Sequence, residues 1–163
     1  MHELVIIVAQ YVIILPVIAY LGLVYYQRRQ LKELLLFSFI SAVFALILIK
    51  VGAALHSDPR PFIRDGVTPY FKGSNDNGFP SDHTALSSLV AFIVFRYNKP
   101  AGIALFLIAL AIGAARVIGG VHHGQDIVGA MAMTLVSVYA ATFVTRWLVK
   151  THAQRTSKRT ADE

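Results

Sequence analysis

The segment Ala115–Asp126, ARVIGGVHHGQD, sets His122 four residues before Asp126. On a helical turn these two side chains share a face. A carboxylate there can keep one imidazole nitrogen as its N–H and leave the other free as a nucleophile. Arg116, six residues before His122, can bring a guanidinium to the same anion. Gly119, Gly120 and Gly124 permit a tight connection around the histidine. A metal site at His122 and His123 is a competing reading, but adjacent residues on a helix do not face each other. Upstream, NGFPSDHTALSSLVAF at 77–92 opens a second apolar run with Pro80, Ser81, Asp82 and His83. Ser81 is a plausible N-cap, and the free N–H groups of the following turn favour an anion. His83 can give a proton to a departing oxygen. Earlier still, DPRPF at 58–62 brackets Arg60 between two prolines. A guanidinium stiffened in this way suits bidentate contact with a phosphate, or with a lipid headgroup.

The elements that must position these groups are membrane helices. The chain has 163 residues, 56% of them hydrophobic, and a mean hydropathy of +0.60. Its apolar residues fall in runs of the length that a bilayer requires, about 17 to 25 residues. Five spans are expected: Leu4–Tyr26, Glu33–Leu55, Ser81–Tyr97, Ala101–Val117 and Ile127–Val149. The first run is too long for a signal peptide's apolar region and lacks a basic leader; Pro16 is expected to kink it. The fold class expected is therefore all-α, a polytopic membrane helix bundle forming one domain over residues 1–150. An irregular outer loop at 56–80, rich in Gly, Pro, Asn and Asp, interrupts it.

Charge gives the orientation. Of 15 Lys and Arg residues, ten lie at Arg28, Arg29 and Lys32, at Arg96 and Lys99, and at Arg146, Lys150, Arg155, Lys158 and Arg159. With five spans these three clusters share one side, which the positive-inside rule makes cytoplasmic. The N-terminus is then outside, the C-terminus inside, and 151–163 a basic cytoplasmic tail. The net charge of +6 accordingly reflects topology and no nucleic-acid partner is expected. The absence of cysteine excludes disulfides, thiolate nucleophiles and Cys-ligated zinc. Arg60, Arg116 and the three polar segments all map to the outer side.

The ordered blocks Arg60–Pro61, Pro80–His83 and Arg116-x5-His122-x3-Asp126 resemble the type 2 phosphatidic acid phosphatase family of membrane lipid phosphatases. The resemblance covers roughly Lys50 to Asp126, about half the chain. Three departures stand out. Ala53 occupies the place of the family lysine, with Lys50 about 60° round the helix as its substitute and Lys72 or Arg64 as weaker ones. Asp82 replaces a glycine and Ala115 a serine, and the family core has six spans rather than five. The resemblance implies attack by His122 on phosphorus, with Asp126 orienting it. It implies that Arg60, Arg116, Lys50, Ser81 and backbone N–H groups near Asp82 hold the phosphate, and that His83 protonates the leaving oxygen. No metal or other cofactor is implied, because cationic side chains supply the charge stabilisation.

Within that family the short chain and the outward site resemble the undecaprenyl-diphosphate phosphatase branch, which implies a bacterial plasma membrane. Phosphatidylglycerophosphate and phosphatidic acid are the alternative substrates. The partners implied are the lipid phosphate and membrane lipids, without an obligate protein partner. A catalytically impaired protein that binds lipid phosphates and a purely structural membrane protein are the competing classes. The soluble vanadate haloperoxidases share the pocket motifs, but five spans argue against them.

Overall fold

The computed structural model describes residues 1–151, with the backbone of the final helix followed to Ala161. The expected tail, 151–163, lies almost wholly outside the described residues. Among those described, seven α-helices and one 3-10 turn (Arg28–Gln30) account for the regular structure: α1 His2–Gln10, α2 Ile14–Tyr26, α3 Leu31–Leu55, α4 Pro61–Arg64, α5 Asp82–Tyr97, α6 Lys99–Ile118 and α7 Gly124–Ala161. The protein is an all-α integral membrane protein.

Proline explains the first interruption. The ring of Pro16 excludes the carbonyl four residues back, that of Val12. The chain breaks there, and Leu15 N–H bonds Val12 O at 3.0 Å in a tighter turn. The expected kink is thus a break between α1 and α2, after which the two helices part company: α1 packs on α6, α2 on α5.

Four helical stretches are long and apolar enough to cross a bilayer: His2–Tyr26, Arg28–Leu55, Lys99–Ile118 and Gly124–Thr151. The remaining expected span is α5, which has only 16 residues. It sits among α2, α3, α6 and α7, so protein rather than lipid surrounds most of it. That position explains its composition. Thr84, Ser87, Ser88 and Ala91 are buried, and the Ser88 Oγ lies 2.9 Å from Thr134 Oγ1 across the α5–α7 contact. Membrane helices gain little from apolar burial alone, so small residues that permit close approach hold them together. Gly113 is one such place: a Cβ there would press within 2.5 Å of Ile127 Cγ2. Large apolar side chains such as Phe39, Leu46 and Phe143 face outward instead.

The 56–80 segment is irregular apart from the single turn α4. Asn77 fastens it. Its Oδ1 accepts from Asp58 N–H at 2.9 Å and Phe79 N–H at 3.0 Å, while its Nδ2 donates to Ala53 O and His56 O, both at 3.0 Å. One amide therefore satisfies carbonyls at the end of α3 and joins the two arms of the loop. At the α6–α7 connection, Gly120 alone of its three glycines needs a left-handed backbone, with φ 73°.

Candidate active site

The three segments meet at the end of the bundle where α5 and α7 begin. Ser81 is the N-cap residue of α5, as its position in the sequence implies, yet its side chain makes no capping bond. Its Oγ instead accepts from Thr84 Oγ1 at 3.2 Å, and its N–H donates to Asp126 O at 3.2 Å. Ala85 N–H is the first to bond back into the helix, to Ser81 O at 2.8 Å. The N–H groups of Asp82, His83 and Thr84 are those a helix start leaves without intrahelical partners. Asp82 is exposed and His83 half-buried.

His122 and Asp126 are both buried, and His122 Nδ1 lies 3.1 Å from Asp126 Oδ2. The opposite nitrogen, Nε2, lies 3.2 Å from Arg60 Nη1. A guanidinium only donates, so Nε2 is the acceptor there and Nδ1 carries the hydrogen. The carboxylate takes that hydrogen, and the lone pair is left on Nε2. Burial drives the His122 pKa down, the Asp126 hydrogen bond pulls it up, and the charges of Arg116 and Arg60 push it down again; the net result is below the usual value. The neutral, nucleophilic form is favoured.

Arg60 is 7% exposed, and its guanidinium is fully occupied. Nη1 donates to Val121 O at 3.0 Å as well as facing His122. Nε and Nη2 reach Asp76 Oδ1 at 3.1 and 2.8 Å, and Nη2 also bonds Ser74 Oγ at 3.1 Å. Gly78 makes room for this arrangement: a Cβ there would lie 2.9 Å from Asp58 O, 3.2 Å from Asp126 Oδ2 and 3.3 Å from Arg60 Cγ.

Arg116 is different. It is 8% exposed and donates to Ala9 O at 3.2 Å from Nη1, but its Nε is buried without a partner. Its charge is felt at both His83 and His122. A buried cation with an unused donor is poorly stabilised without an anion. Arg60, Ser81, His83, Arg116, His122 and Asp126 are thus brought to one end of the bundle. Lys50 is not. It is exposed on α3, about 160° from the line of Leu34, Ser41, Ala45 and Gly52 that faces the bundle. Gly52 packs on Met133 and Phe79, so Lys50 projects away from α7. The expected replacement for the lysine absent at Ala53 is therefore corrected by helix geometry. Of the weaker substitutes, Arg64 is committed to Asp58 and Asp65, at 2.7 and 2.9 Å, and Lys72 is exposed.

Beside the site lies a network that sequence reasoning did not assemble. His123 Nδ1 is 2.6 Å from Asp58 Oδ2 and its Nε2 is 2.9 Å from Asp65 Oδ2, while its backbone N–H donates to Asp126 Oδ2 at 2.8 Å. Burial pushes the Asp58 pKa up, but hydrogen bonds from Gln125 and His123 and the charges of His123 and Arg64 outweigh it, so the carboxyl stays below its usual value. Asp58, His123 and Asp126 are also the residues that could hold a metal, with ligand atoms within 4.8 Å of one another. In this structure Arg64 and His123 engage both oxygens of Asp58, and His122 and the His123 N–H engage Oδ2 of Asp126, whose buried Oδ1 has no partner among the described residues. The network ties the segment carrying Arg60 to the segment carrying His122.

Membrane-crossing helices here gather two buried guanidinium groups and a carboxylate-held imidazole at one end, a set of groups suited to an anion. The chain belongs to the PAP2 superfamily, which residues 31–152 match. It is 36% identical over 128 residues to the bacitracin transport permease protein BcrC of Bacillus licheniformis, covering 76% of this chain and 62% of that protein. It therefore spans less than two thirds of that relative's length. It is 21% identical over 136 residues to undecaprenyl-diphosphatase BcrC of Bacillus subtilis strain 168, covering 83% and 70% respectively. In shape it is similar to the crystal structure of Aquifex aeolicus LpxE, with a TM-score of 0.60 and 23% identity over 86% of this chain and 81% of that one. This last likeness establishes the fold.

Proposed function

We propose that this protein is a metal-independent lipid phosphatase that works through a phosphohistidine, with undecaprenyl diphosphate as its substrate. The observation that carries the reading is the orientation of His122: Nδ1 is held by Asp126, and the Nε2 lone pair points at Arg60 Nη1, the donor that an incoming phosphate would take over. A terminal phosphate bound between Arg60 and Arg116 meets that lone pair. Attack forms the Nε2–phosphorus bond as the bond to the lipid-side oxygen breaks, and His83 gives that oxygen a proton. His83 then takes a proton from water, whose oxygen attacks phosphorus and releases inorganic phosphate from His122. The guanidinium groups and the first N–H groups of α5 offset the charge on the equatorial oxygens.

The substrate follows from the name of the Bacillus subtilis relative and from a site at the end of a membrane bundle, where a headgroup meets its apolar chain. The distribution of basic residues supports a site on the outer face of a bacterial plasma membrane. Asn75→Cys in this cysteine-free chain tests that orientation, because an outward loop reacts with an impermeant thiol reagent in intact cells. The deciding experiment is phosphate release by detergent-purified protein in EDTA. Undecaprenyl diphosphate, phosphatidic acid and phosphatidylglycerophosphate are offered in parallel, with His122→Ala as control. Release from the first that vanishes in the variant, with an acid-labile phosphoprotein in the parent, is expected. The outward placement of Lys50 favours one second reading, a lipid-phosphate-binding protein without turnover. Binding without release from any of the three lipids would establish it.

A further inference from the structure

The two ends of α5 carry different chemistry. His83 opens the helix, and Arg96 lies thirteen residues on, about 20 Å away along the axis. At that far end Arg96 and Thr145 line a cavity of about 250 Å³ together with Glu33, Arg146, Val149 and Lys150. Three cations therefore face one carboxylate. Arg96 is paired with Glu33, 3.2 Å away, and lies over the Phe37 ring with its guanidinium carbon 4.3 Å from the centroid. Arg146 and Lys150, one turn apart on α7, are exposed and have no acid partner among the described residues. The pocket carries an excess of two positive charges that nothing in the described protein offsets.

A second cavity of about 410 Å³ adjoins the first and shares Arg96 and Arg146 as its rim. Its walls are apolar and aromatic, formed by Phe92, Phe95, Leu135 and Tyr139. Trp147, 64% exposed, stands between Arg146 and Lys150 in sequence, at the level where an indole ring sits in a membrane interface. A free anion would use the basic pocket and leave the aromatic groove vacant. An amphiphile fills both.

We propose that this end of the bundle binds an anionic phospholipid, its phosphate held by Arg96, Arg146 and Lys150 and its acyl chains lying in the groove between α3, α5 and α7. The site is separate from the His122 cluster and does not depend on catalysis there. Because α3, α5 and α7 all contribute, the lipid clamps the helices that carry the site at the opposite end.

Thermal unfolding of the detergent-purified full chain, with added phosphatidylglycerol, phosphatidylcholine or inorganic phosphate, tests this. Phosphatidylglycerol at a hundredfold excess over its Kd is expected to raise Tm by roughly 5–10 °C. Phosphatidylcholine and inorganic phosphate should leave Tm unchanged. The double variant Arg146→Gln, Lys150→Gln should unfold at the parent temperature without lipid and lose the rise. A charge-matched variant, Arg28→Gln, Arg29→Gln, should keep it. An equal rise with phosphatidylcholine overturns the proposal, as does an equal rise with inorganic phosphate, which would mean an anion pocket only. Loss of the rise in both double variants would mean general attraction to basic surface, and its retention in both would put the lipid elsewhere.

Discussion

Replacing Asp76 by asparagine should make the proposed enzyme bind phosphate more tightly. All five N–H groups of Arg60 are already engaged, and three of those contacts run to Asp76 and Ser74. A phosphate reaching the Nε and Nη2 edge of the guanidinium must displace something, and Val121 O on the Nη1 side is fixed by buried structure. Asp76 is the partner able to leave, since its side chain is 67% exposed against 8% for Arg60. The hydrogen bond from Ser74 and then Arg60 hold its pKa below the usual carboxylate value, so it is charged at any ordinary assay pH. Each binding event thus exchanges a carboxylate for a phosphate. An ion pair this exposed is worth about 0.5–1 kcal/mol. Its removal should lower KM, and the inhibition constants of inorganic phosphate and vanadate, by roughly two- to fivefold. Turnover at saturation should stay within about twofold, because the chemical step does not use Asp76. Steady-state kinetics with the lipid substrate, alongside competition by the two anions, provide the readout. A higher KM, or a kcat reduced more than about tenfold, would refute the reasoning, since it would mean that Asp76 stays on Arg60 through turnover and positions it.

Asp126→Asn should cut turnover roughly 10²- to 10⁴-fold with the lipid still bound, because the amide no longer fixes the Nδ1 hydrogen; single-turnover kinetics and a binding assay separate the two effects. The acid limb of kcat/KM should lie below pH ~6.5, the ordinary histidine value. His122 has a lowered pKa, so the neutral nucleophile survives until the pH falls through that lower value. Gly78→Ala should destabilise the protein by about 1–3 kcal/mol and reduce activity, since its Cβ meets the Asp58 carbonyl and the Asp126 carboxylate; an unchanged Tm would contradict the packing described. His123→Gln should lower Tm by removing one of the partners of Asp58, which is 2% exposed.

Periodicity and spacing carried much of this fold into view. The long apolar runs matched α3, α5 and α6 to within two residues at each end, while the first run proved to be two helices and the last helix runs on to Ala161. The four-residue interval matched the contact between His122 and Asp126. Lys50 shows where spacing alone misleads: a side chain near in sequence can stand on the wrong face, and only the stripe through Leu34, Ser41 and Ala45 reveals which face is inward. That stripe was present in the sequence but weak, because α3 is apolar all round, lipid and protein being alike in that respect. Asp76, Ser74 and Asn77 were beyond reach for another reason. An irregular loop has no period, so nothing in GSNDNG says which residue will meet Arg60. The length of α5 is a third case, since a helix enclosed by others does not need the span that lipid demands.

The contacts that bring Arg60 and Asp58 to the two histidines join segments far apart in the chain. Arg60 meets His122 across 62 residues, and Asp58 meets His123 across 65. During synthesis the guanidinium of Arg60 and the opening turn of α5 therefore exist well before His122 does. Insertion of α1 to α6 alone would leave a basic pocket without its histidine, and the proposed chemistry would wait for the start of α7 to fold back over it.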